Sequence, residues 1–164
     1  MSWRLQPDLY YSSLYAVDLD ELERRGITAI VIDLDNTIVP RDTRLLDDRG
    51  RQWAARTKER FQLAIVSNNT QSYPPGMASE LDVLLVAPAM KPLRRGFRRA
   101  MELLGVDAAR TAIIGDQIFT DVLGGNRTGI TTVLVDPLVA NDLPHTLLLR
   151  RFEALIMAGR HPLA

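Results

Sequence analysis

Five short apolar runs rich in β-branched residues recur along this 164-residue chain and constrain its fold more than any other feature. They span residues 27–32, 62–67, 81–87, 111–115 and 130–135, with helix-compatible segments between most of them at 46–59, 93–104 and 119–127. Apolar runs without polar alternation are typical of strands buried on both faces of a parallel sheet. Strands that alternate with helices predict right-handed crossovers and a doubly wound α/β sheet of about five strands.

The chain has the length and apolar content of one domain. Its residues are 46% apolar, which is enough for a core without disulfides or structural metals. We see no repeat, linker or second domain in residues 1–164, which predicts a single domain. Residues 1–26 are expected to form an N-terminal extension with a short helix that begins after Asp18 and ends at Gly26.

Charge and cysteine content exclude several classes of function. Lys plus Arg and Asp plus Glu are both 20, so no net charge attracts nucleic acid. The absence of cysteine excludes a disulfide framework, thiolate zinc sites and thiol catalysis. The first residues lack the pattern of a signal peptide, and no apolar run approaches the ~18 residues of a membrane span. We therefore expect a cytoplasmic protein, at most peripheral on the inner membrane surface, with no nucleic-acid partner.

Polar residues follow the predicted strands at the points where the apolar runs end. Ligands of open α/β sheets bind outside the carboxyl ends of the strands, so these residues are candidates for one shared site. They are Asp33 and Asp35 after the first run, Ser67, Asn68 and Asn69 after the second, Lys91 in the loop after the third, and Asp116 and Asp121 after the fourth. Four strand ends therefore supply carboxylates, a hydroxyl and an ammonium group to one place.

The aspartates predict a divalent metal site. Asp33 and Asp35 are two residues apart, so in an extended chain their side chains leave on the same side and repel unless a cation lies between them. Together with Asp116 they offer three hard oxygen ligands, which suit Mg²⁺. Phosphoryl transfer to a carboxylate needs such a cation, with Lys91 to spread the charge and Ser67 to hold phosphoryl oxygens. Asp33 would then attack phosphorus in line.

Four short motifs carry a resemblance to a known family. They are DLDNT at 33–37, Ser-Asn at 67–68, Lys-Pro at 91–92 and GDQIFTD at 115–121. In this order they resemble the motifs of the haloacid dehalogenase (HAD) superfamily, whose phosphatases use an aspartate nucleophile. The closer resemblance is to the YqeG-like branch of its subclass IIIA, which includes phosphatidylglycerophosphate phosphatases. It extends from LQPDLYYSS through RRGI to GGNRTG.

The resemblance implies a role for each motif position. Asp33 is implied as the nucleophile that becomes aspartyl-phosphate, and Asp35 as the acid that protonates the leaving alkoxide and then the base that activates water. Mg²⁺ is implied to bind Asp33, the backbone carbonyl of Asp35, and Asp116, with Asp121 touching these ligands rather than the metal. Lys91 is implied as a further catalytic residue, and Thr37, Ser67 and Asn68 as phosphate-binding residues.

The spacing of the motifs predicts an open site. The intervals between Thr37 and Ser67 and between Ser67 and Lys91 each suffice for one crossover and leave no room for a cap domain. Such a site suits a phosphate carried on a large molecule or on a lipid head group, because the macromolecule or bilayer can itself exclude water. The resemblance points to phosphatidylglycerophosphate, an intermediate of phospholipid biosynthesis.

Two other functions use the same residue types. A phosphoaspartate signalling domain of the receiver type combines an acidic Mg²⁺ pocket with Ser/Thr and Lys. Its phosphoacceptor lies at a later strand, however, and no isolated acidic residue ends the runs at Ser67 or Ala87. The other alternative is a catalytically silent scaffold, which the intact Asp33, Asp35 and Lys91 argue against.

Two amphipathic helices are compatible either with the core or with a membrane. On the helix after Lys91, arginines at i,i+4 spacing predict a solvated face or a patch for anionic head groups. These are Arg94, Arg95, Arg98 and Arg99. Residues 143–164 predict a C-terminal helix that packs on the core or lies at a membrane surface. Its apolar face comprises Leu148, Phe152, Leu155 and Ile156.

Overall fold

The computed structural model describes residues 4–69, 76–139 and 151–163, which form a six-stranded sheet with helices on both faces. The strands are β1 (Leu9–Tyr11), β2 (Ala29–Ile32), β3 (Gln62–Val66), β4 (Leu84–Val86), β5 (Thr111–Gly115) and β6 (Thr131–Val135). They lie in the order β1-β6-β5-β2-β3-β4, and every neighbouring pair is parallel. The predicted doubly wound α/β fold is confirmed, with six strands where the sequence indicated about five.

The helices follow the predicted segments closely. They are α1 (Leu19–Arg24), α2 (Asp48–Lys58), α3 (Met77–Glu80), α4 (Arg94–Leu104) and α5 (Leu123–Thr128). The start of α1 is set by Asp18, whose side chain accepts hydrogen bonds from the backbone N–H groups of Asp20 and Glu21. The segment predicted as one helix at 119–127 is instead a π-helical turn, Ile118–Val122, that leads into α5.

Alternate residues of the central strand β2 belong to two different cores. Ile30 and Ile32 pack in a cluster that includes Trp53 of α2. Val31 packs in a second cluster with Phe97 of α4. Successive strand side chains point to opposite faces, so both faces of the sheet are covered. This explains why the strand reads as a continuous apolar run.

The additional strand lies near the N-terminus, in the segment expected to be an extension. β1 pairs with β6 at the edge of the sheet, with Leu9 opposite Val133 and Tyr11 opposite Val135. Residues 9–11 are therefore part of the sheet rather than an extension to it. A strand of three residues is too short for its hydrophobic periodicity to be recognised in the sequence, and its two tyrosines point to opposite faces of the sheet.

The C-terminal segment is described only from residue 151, so residues 143–150 and the predicted contact of Leu148 lie outside the described part. Residues 151–156 are helical. Ile156 packs against the apolar cluster of Ile118, Val122 and Leu134, whereas Phe152 and Leu155 are exposed. One side of this helix therefore packs on the core. None of the helices that the structure describes is long and apolar enough to cross a membrane.

The register of the sheet aligns the strand ends that carry the candidate residues. Ile32 of β2 lies opposite Ile65 of β3 and opposite Ile114 of β5. The residues that follow these three strands therefore emerge at the same edge of the sheet.

Candidate active site

Lys91 joins two of the predicted aspartates. Its Nζ lies 2.5 Å from Oδ1 of Asp33 and 2.7 Å from Oδ1 of Asp121. All three side chains are at most 7% exposed. Asp33 follows β2, Lys91 lies in the loop after β4, and Asp121 lies in the π-helical turn after β5. One ammonium group therefore holds together three segments that are distant in sequence.

The protonation of this cluster is set by opposing effects. Burial raises the pKa of Asp33 to about 6, and the nearby charge of Lys91 only partly offsets that rise. Burial alone would lower the pKa of Lys91, but the negative charges of Asp121 and Asp33 outweigh it and raise the pKa above its ordinary value. The two carboxylates therefore favour the charged form of Lys91.

Three buried carboxylates form the candidate metal centre. Ligand oxygens of Asp33, Asp116 and Asp121 all lie within 4.8 Å of one another. With the single ammonium of Lys91, this group has an excess of two negative charges, which fits a divalent cation. All donors are hard oxygens, the ligands that Mg²⁺ prefers. Asp121 thus belongs to the same carboxylate cluster as Asp33 and Asp116, whereas the role predicted for Asp35 in metal binding involves its backbone carbonyl.

The position of Asp121 depends on a glycine. A Cβ atom built on Gly115 would collide with the carboxylate of Asp121, so only glycine permits this approach. The backbone N–H of Gln117 donates to Oδ2 of Asp121 at 3.2 Å. The π-helical turn begins at Ile118, whose N–H donates to the buried carboxylate of Glu153 at 2.7 Å. A residue of the C-terminal helix thus anchors the turn that carries Asp121.

Asn68 fixes the backbone of Lys91. Its Oδ1 accepts from the N–H of Lys91 at 2.7 Å, and its Nδ2 donates to the carbonyl of Lys91 at 3.0 Å. The oxygen and the nitrogen of the Asn68 side-chain amide are therefore both hydrogen-bonded to the backbone of Lys91. The predicted role of Asn68 in binding phosphate stays a prediction, and the observed contact is with the lysine loop.

The remaining predicted residues surround the same point. Ser67 is buried, and its hydroxyl accepts from the N–H of Asn69 at 3.0 Å. The hydroxyl of Thr37 donates to Oδ1 of Asp116 at 3.4 Å, a long hydrogen bond. Asp35 is half-buried and faces the pocket described below. All eight predicted site residues therefore lie at one edge of the sheet.

A cavity of about 290 Å³ opens above these residues, and some of its lining residues were not predicted from the sequence. Its lining comprises Asp33, Asp35, Arg41, Asn68, Asn69, Lys91, Gln117 and Thr120. Arg41, Gln117 and Thr120 are the lining residues that the sequence did not indicate. Each lies a few residues after an aspartate of a motif, and this proximity is the one feature of the sequence that could have indicated them. Arg41 places a second cation in the lining, beside Lys91.

A further missed residue is Asn36, inside the first motif. Its φ of 61° is left-handed, which asparagine tolerates better than most residues. Its amide donates to the carbonyl of Val139 at 2.9 Å and accepts from the N–H of Val139 at 3.1 Å. Asn36 thus ties the loop after β2 to the segment after β6, in the same way that Asn68 ties the end of β3 to the loop that carries Lys91.

Comparison with known proteins shows that this chain has relatives among phosphatases. Residues 89–137 match the family model described as HAD-hydrolase-like. The chain is 33% identical over 154 residues to the probable phosphatase YqeG of Bacillus subtilis, with 93% of this chain and 90% of that protein covered. It is 25% identical over 162 residues to phosphatidylglycerophosphate phosphatase 1 of Arabidopsis thaliana, covering 92% of this chain and 47% of the plant protein.

Among solved structures, the fold is similar to the cobalt-bound form of deoxy-D-mannose-octulosonate 8-phosphate phosphatase from Haemophilus influenzae. The TM-score is 0.55 and the identity 15%, over 82% of this chain and 89% of that chain. At that identity the likeness concerns the fold alone. The match to YqeG extends over nearly the whole chain and includes all four motifs that meet at the cavity. The chain therefore belongs to the YqeG-like phosphatases of the haloacid dehalogenase superfamily.

Proposed function

We propose that this phosphatase hydrolyses phosphomonoesters with Mg²⁺ through an aspartyl-phosphate on Asp33. The observation that carries the proposal is the buried Asp33 carboxylate, held by Lys91 within an acidic cluster at the base of an open cavity. A carboxylate nucleophile has to be ionised and fixed in direction. The ammonium of Lys91 at 2.5 Å favours the ionised form and restricts the side chain.

The proposed reaction has two steps that use the same pair of aspartates. In the first, a carboxylate oxygen of Asp33 forms a bond to phosphorus while the bond to the ester oxygen breaks, and Asp35 donates its proton to the departing alkoxide. In the second, Asp35 takes a proton from water, the water oxygen attacks phosphorus, and the bond to Asp33 breaks. The half-buried position of Asp35 in the cavity lining supports this exchange with solvent.

Asp33 and Asp116 would hold Mg²⁺ together with the backbone carbonyl of Asp35, and Asp121 would contact these ligands. Bound there, the metal would supply positive charge to the phosphoryl oxygens. Ser67, Thr37 and Asn68 are proposed to bind the phosphate. Asn68 would also contribute indirectly, because it fixes the backbone of Lys91. The excess of two negative charges in the acidic cluster supports a divalent ion.

The proposed substrate is a phosphate ester on a lipid head group, with phosphatidylglycerophosphate as the leading candidate. Support comes from the named activity of the Arabidopsis relative and from the cavity. Within the residues that the structure describes, no segment between strands forms a separate domain over this cavity. A membrane-borne substrate would itself exclude water from such a site. We accordingly propose a cytoplasmic protein that acts at the inner membrane surface.

A panel of phosphomonoesters tests the proposal. The wild-type chain should hydrolyse phosphatidylglycerophosphate and a soluble aryl phosphate with Mg²⁺, and neither in a chelator. Asp33→Asn, which keeps the shape but cannot form aspartyl-phosphate, should lose both activities while its unfolding midpoint stays the same or rises. Hydrolysis by folded Asp33→Asn at the wild-type rate would reject the mechanism. Hydrolysis of the aryl phosphate but of no lipid phosphate would reject the substrate alone.

A further inference from the structure

Two exposed apolar side chains flank the catalytic lysine at the edge of the sheet where the cavity opens. Met90 and Leu93 are 52% and 46% exposed, on either side of Lys91 and Pro92. Lys91 itself points inward to Asp33. Neighbours of a buried catalytic residue that remain exposed and apolar are candidates for a contact with something outside the molecule.

Arginines of α4 continue this surface. Arg95, Arg98 and Arg99, together with Val86, Pro88, Met90 and Glu102, line a surface cavity of about 630 Å³. The opposite side of α4 is the buried one, with Phe97, Ala100 and Met101 in the core. Glu102 is the one carboxylate in this lining, and it lies 3.5 Å from Arg99. The cavity therefore has an excess of positive charge beside an apolar wall.

A second pair of exposed apolar side chains lies on the C-terminal helix. Helical residues 151–156 are anchored by buried Glu153, which accepts from the N–H of Ile118 in the turn that carries Asp121. On the same helix, Phe152 is 52% exposed and Leu155 is 71% exposed. Both patches are thus attached to loops that supply active-site residues.

We propose that these two patches and the α4 arginines form a docking face for an anionic phospholipid bilayer. Apolar tips that enter the head-group region and arginines that contact lipid phosphates are the combination that interfacial proteins use. An acidic protein would match the arginines alone, whereas exposed leucine, methionine and phenylalanine on both patches favour lipid. The inference rests on the proposed function, because it would bring the cavity to a substrate that resides in the bilayer.

Co-sedimentation with vesicles tests the charged part of the face. The wild-type chain should bind vesicles of phosphatidylglycerol and phosphatidylcholine, and should bind phosphatidylcholine alone weakly. Arg95→Glu combined with Arg98→Glu should reduce the partition onto the anionic vesicles about 30-fold or more. The matched control is Arg56→Glu with Arg110→Glu, the same charge change on two exposed arginines away from the proposed face. The control should lose much less binding.

A second pair of variants tests the apolar part. Leu93→Ser removes an exposed side chain at the N-cap of α4, where serine is a favoured residue, so the fold should be retained. Binding to anionic vesicles should fall about tenfold. Leu103→Ser removes a similarly exposed leucine at the other end of α4 and should leave binding unchanged.

Hydrolysis of a soluble aryl phosphate separates this proposal from the proposed function. The Arg95/Arg98 and Leu93 variants should keep the wild-type rate on that substrate, since none of the three residues lines the active-site cavity. Loss of vesicle binding with soluble hydrolysis intact supports the docking face. Equal binding by the Arg95/Arg98 variant and its control overturns the proposal. So does a wild-type chain that ignores anionic vesicles, a result that would favour an acidic protein as partner. A chain that binds vesicles but hydrolyses nothing would refute the phosphatase mechanism and leave the docking face standing.

Discussion

Replacing Lys91 with methionine should markedly lower the unfolding temperature of the protein when no divalent cation is present. The change keeps an unbranched side chain but removes the ammonium group that lies 2.5 Å from Asp33 and 2.7 Å from Asp121. These side chains are at most 7% exposed, so water cannot take the place of the lost partner. Removing one partner of a buried ion pair costs about 3–5 kcal/mol. For a domain of this size that is a fall of roughly 6–20 °C in the unfolding midpoint.

The other lysine of the chain provides the matched control. Lys58 donates to the carbonyls of Leu81 and Asp82 and forms an ion pair of 3.1 Å with the Asp82 carboxylate, which is 94% exposed. An exposed pair contributes little, so Lys58→Met should cost about 1 kcal/mol. Thermal unfolding of both variants and the wild type in a chelator measures the difference.

The Lys91→Met deficit should also depend on pH. The pKa of Asp33 is already raised from 3.8 to about 6, and loss of the Lys91 charge raises it further. Between the ordinary and the raised pKa the folded state binds more protons than the unfolded state, so stability falls as pH rises through that window. Wild type shares this behaviour up to its own pKa of about 6, so the deficit relative to wild type should increase as the pH rises above about 6.

Mg²⁺ should recover part of the lost stability, because a cation that binds the folded state alone stabilises it by mass action. The reasoning fails if Lys91→Met unfolds in a chelator at the same temperature as Lys58→Met. It also fails if the deficit shrinks as pH rises.

Three further variants address individual residues of the site. Asp35→Asn should reduce hydrolysis of an alkyl phosphate far more than that of an activated aryl phosphate, which departs without a proton; equal losses in kcat would remove Asp35 from the role of acid. Asp116→Ala should move the Mg²⁺ titration of activity to higher concentration, with partial recovery at excess metal; an unchanged titration would exclude Asp116 as a ligand. Gly115→Ala should cost about 1–3 kcal/mol in denaturant unfolding and lower kcat, since the new Cβ displaces the Asp121 carboxylate; wild-type values for both would show that the turn adjusts freely.

The strand ends could be predicted from the sequence because burial on both faces leaves a strong signal. Each of β2, β3 and β5 is an apolar run that stops at a polar residue, and parallel pairing brings those stops to one edge. Asp33, Ser67 and Asp116 follow directly from this rule. Lys91 required one further step, since it lies in a loop rather than directly after β4.

The contacts between loops could not be predicted in the same way. Asn68 and Lys91 are 23 residues apart, and Asn36 and Val139 are 103 apart. Nothing in the local pattern distinguishes an asparagine that holds a distant backbone from one that merely forms a turn. The position of Asp121 depended on a π-helical turn, where the sequence indicated an ordinary helix. The sequence indicated Asp121 as a site residue, but an ordinary helix at this position did not predict its ion pair with Lys91.

The acidic cluster is better explained by function than by stability. Three buried carboxylates with ligand oxygens within 4.8 Å of one another, only partly balanced by one ammonium, are unfavourable in the interior of a domain. The surrounding chain holds them in place nevertheless: Lys91 binds two of them, Gly115 makes room for one, and Thr37 donates to the third. These supports follow or end three different strands, so the cluster forms only when β2, β4 and β5 have come together. The proposed binding of a cation would stabilise the folded state by mass action and would so couple the folding of the sheet to metal binding.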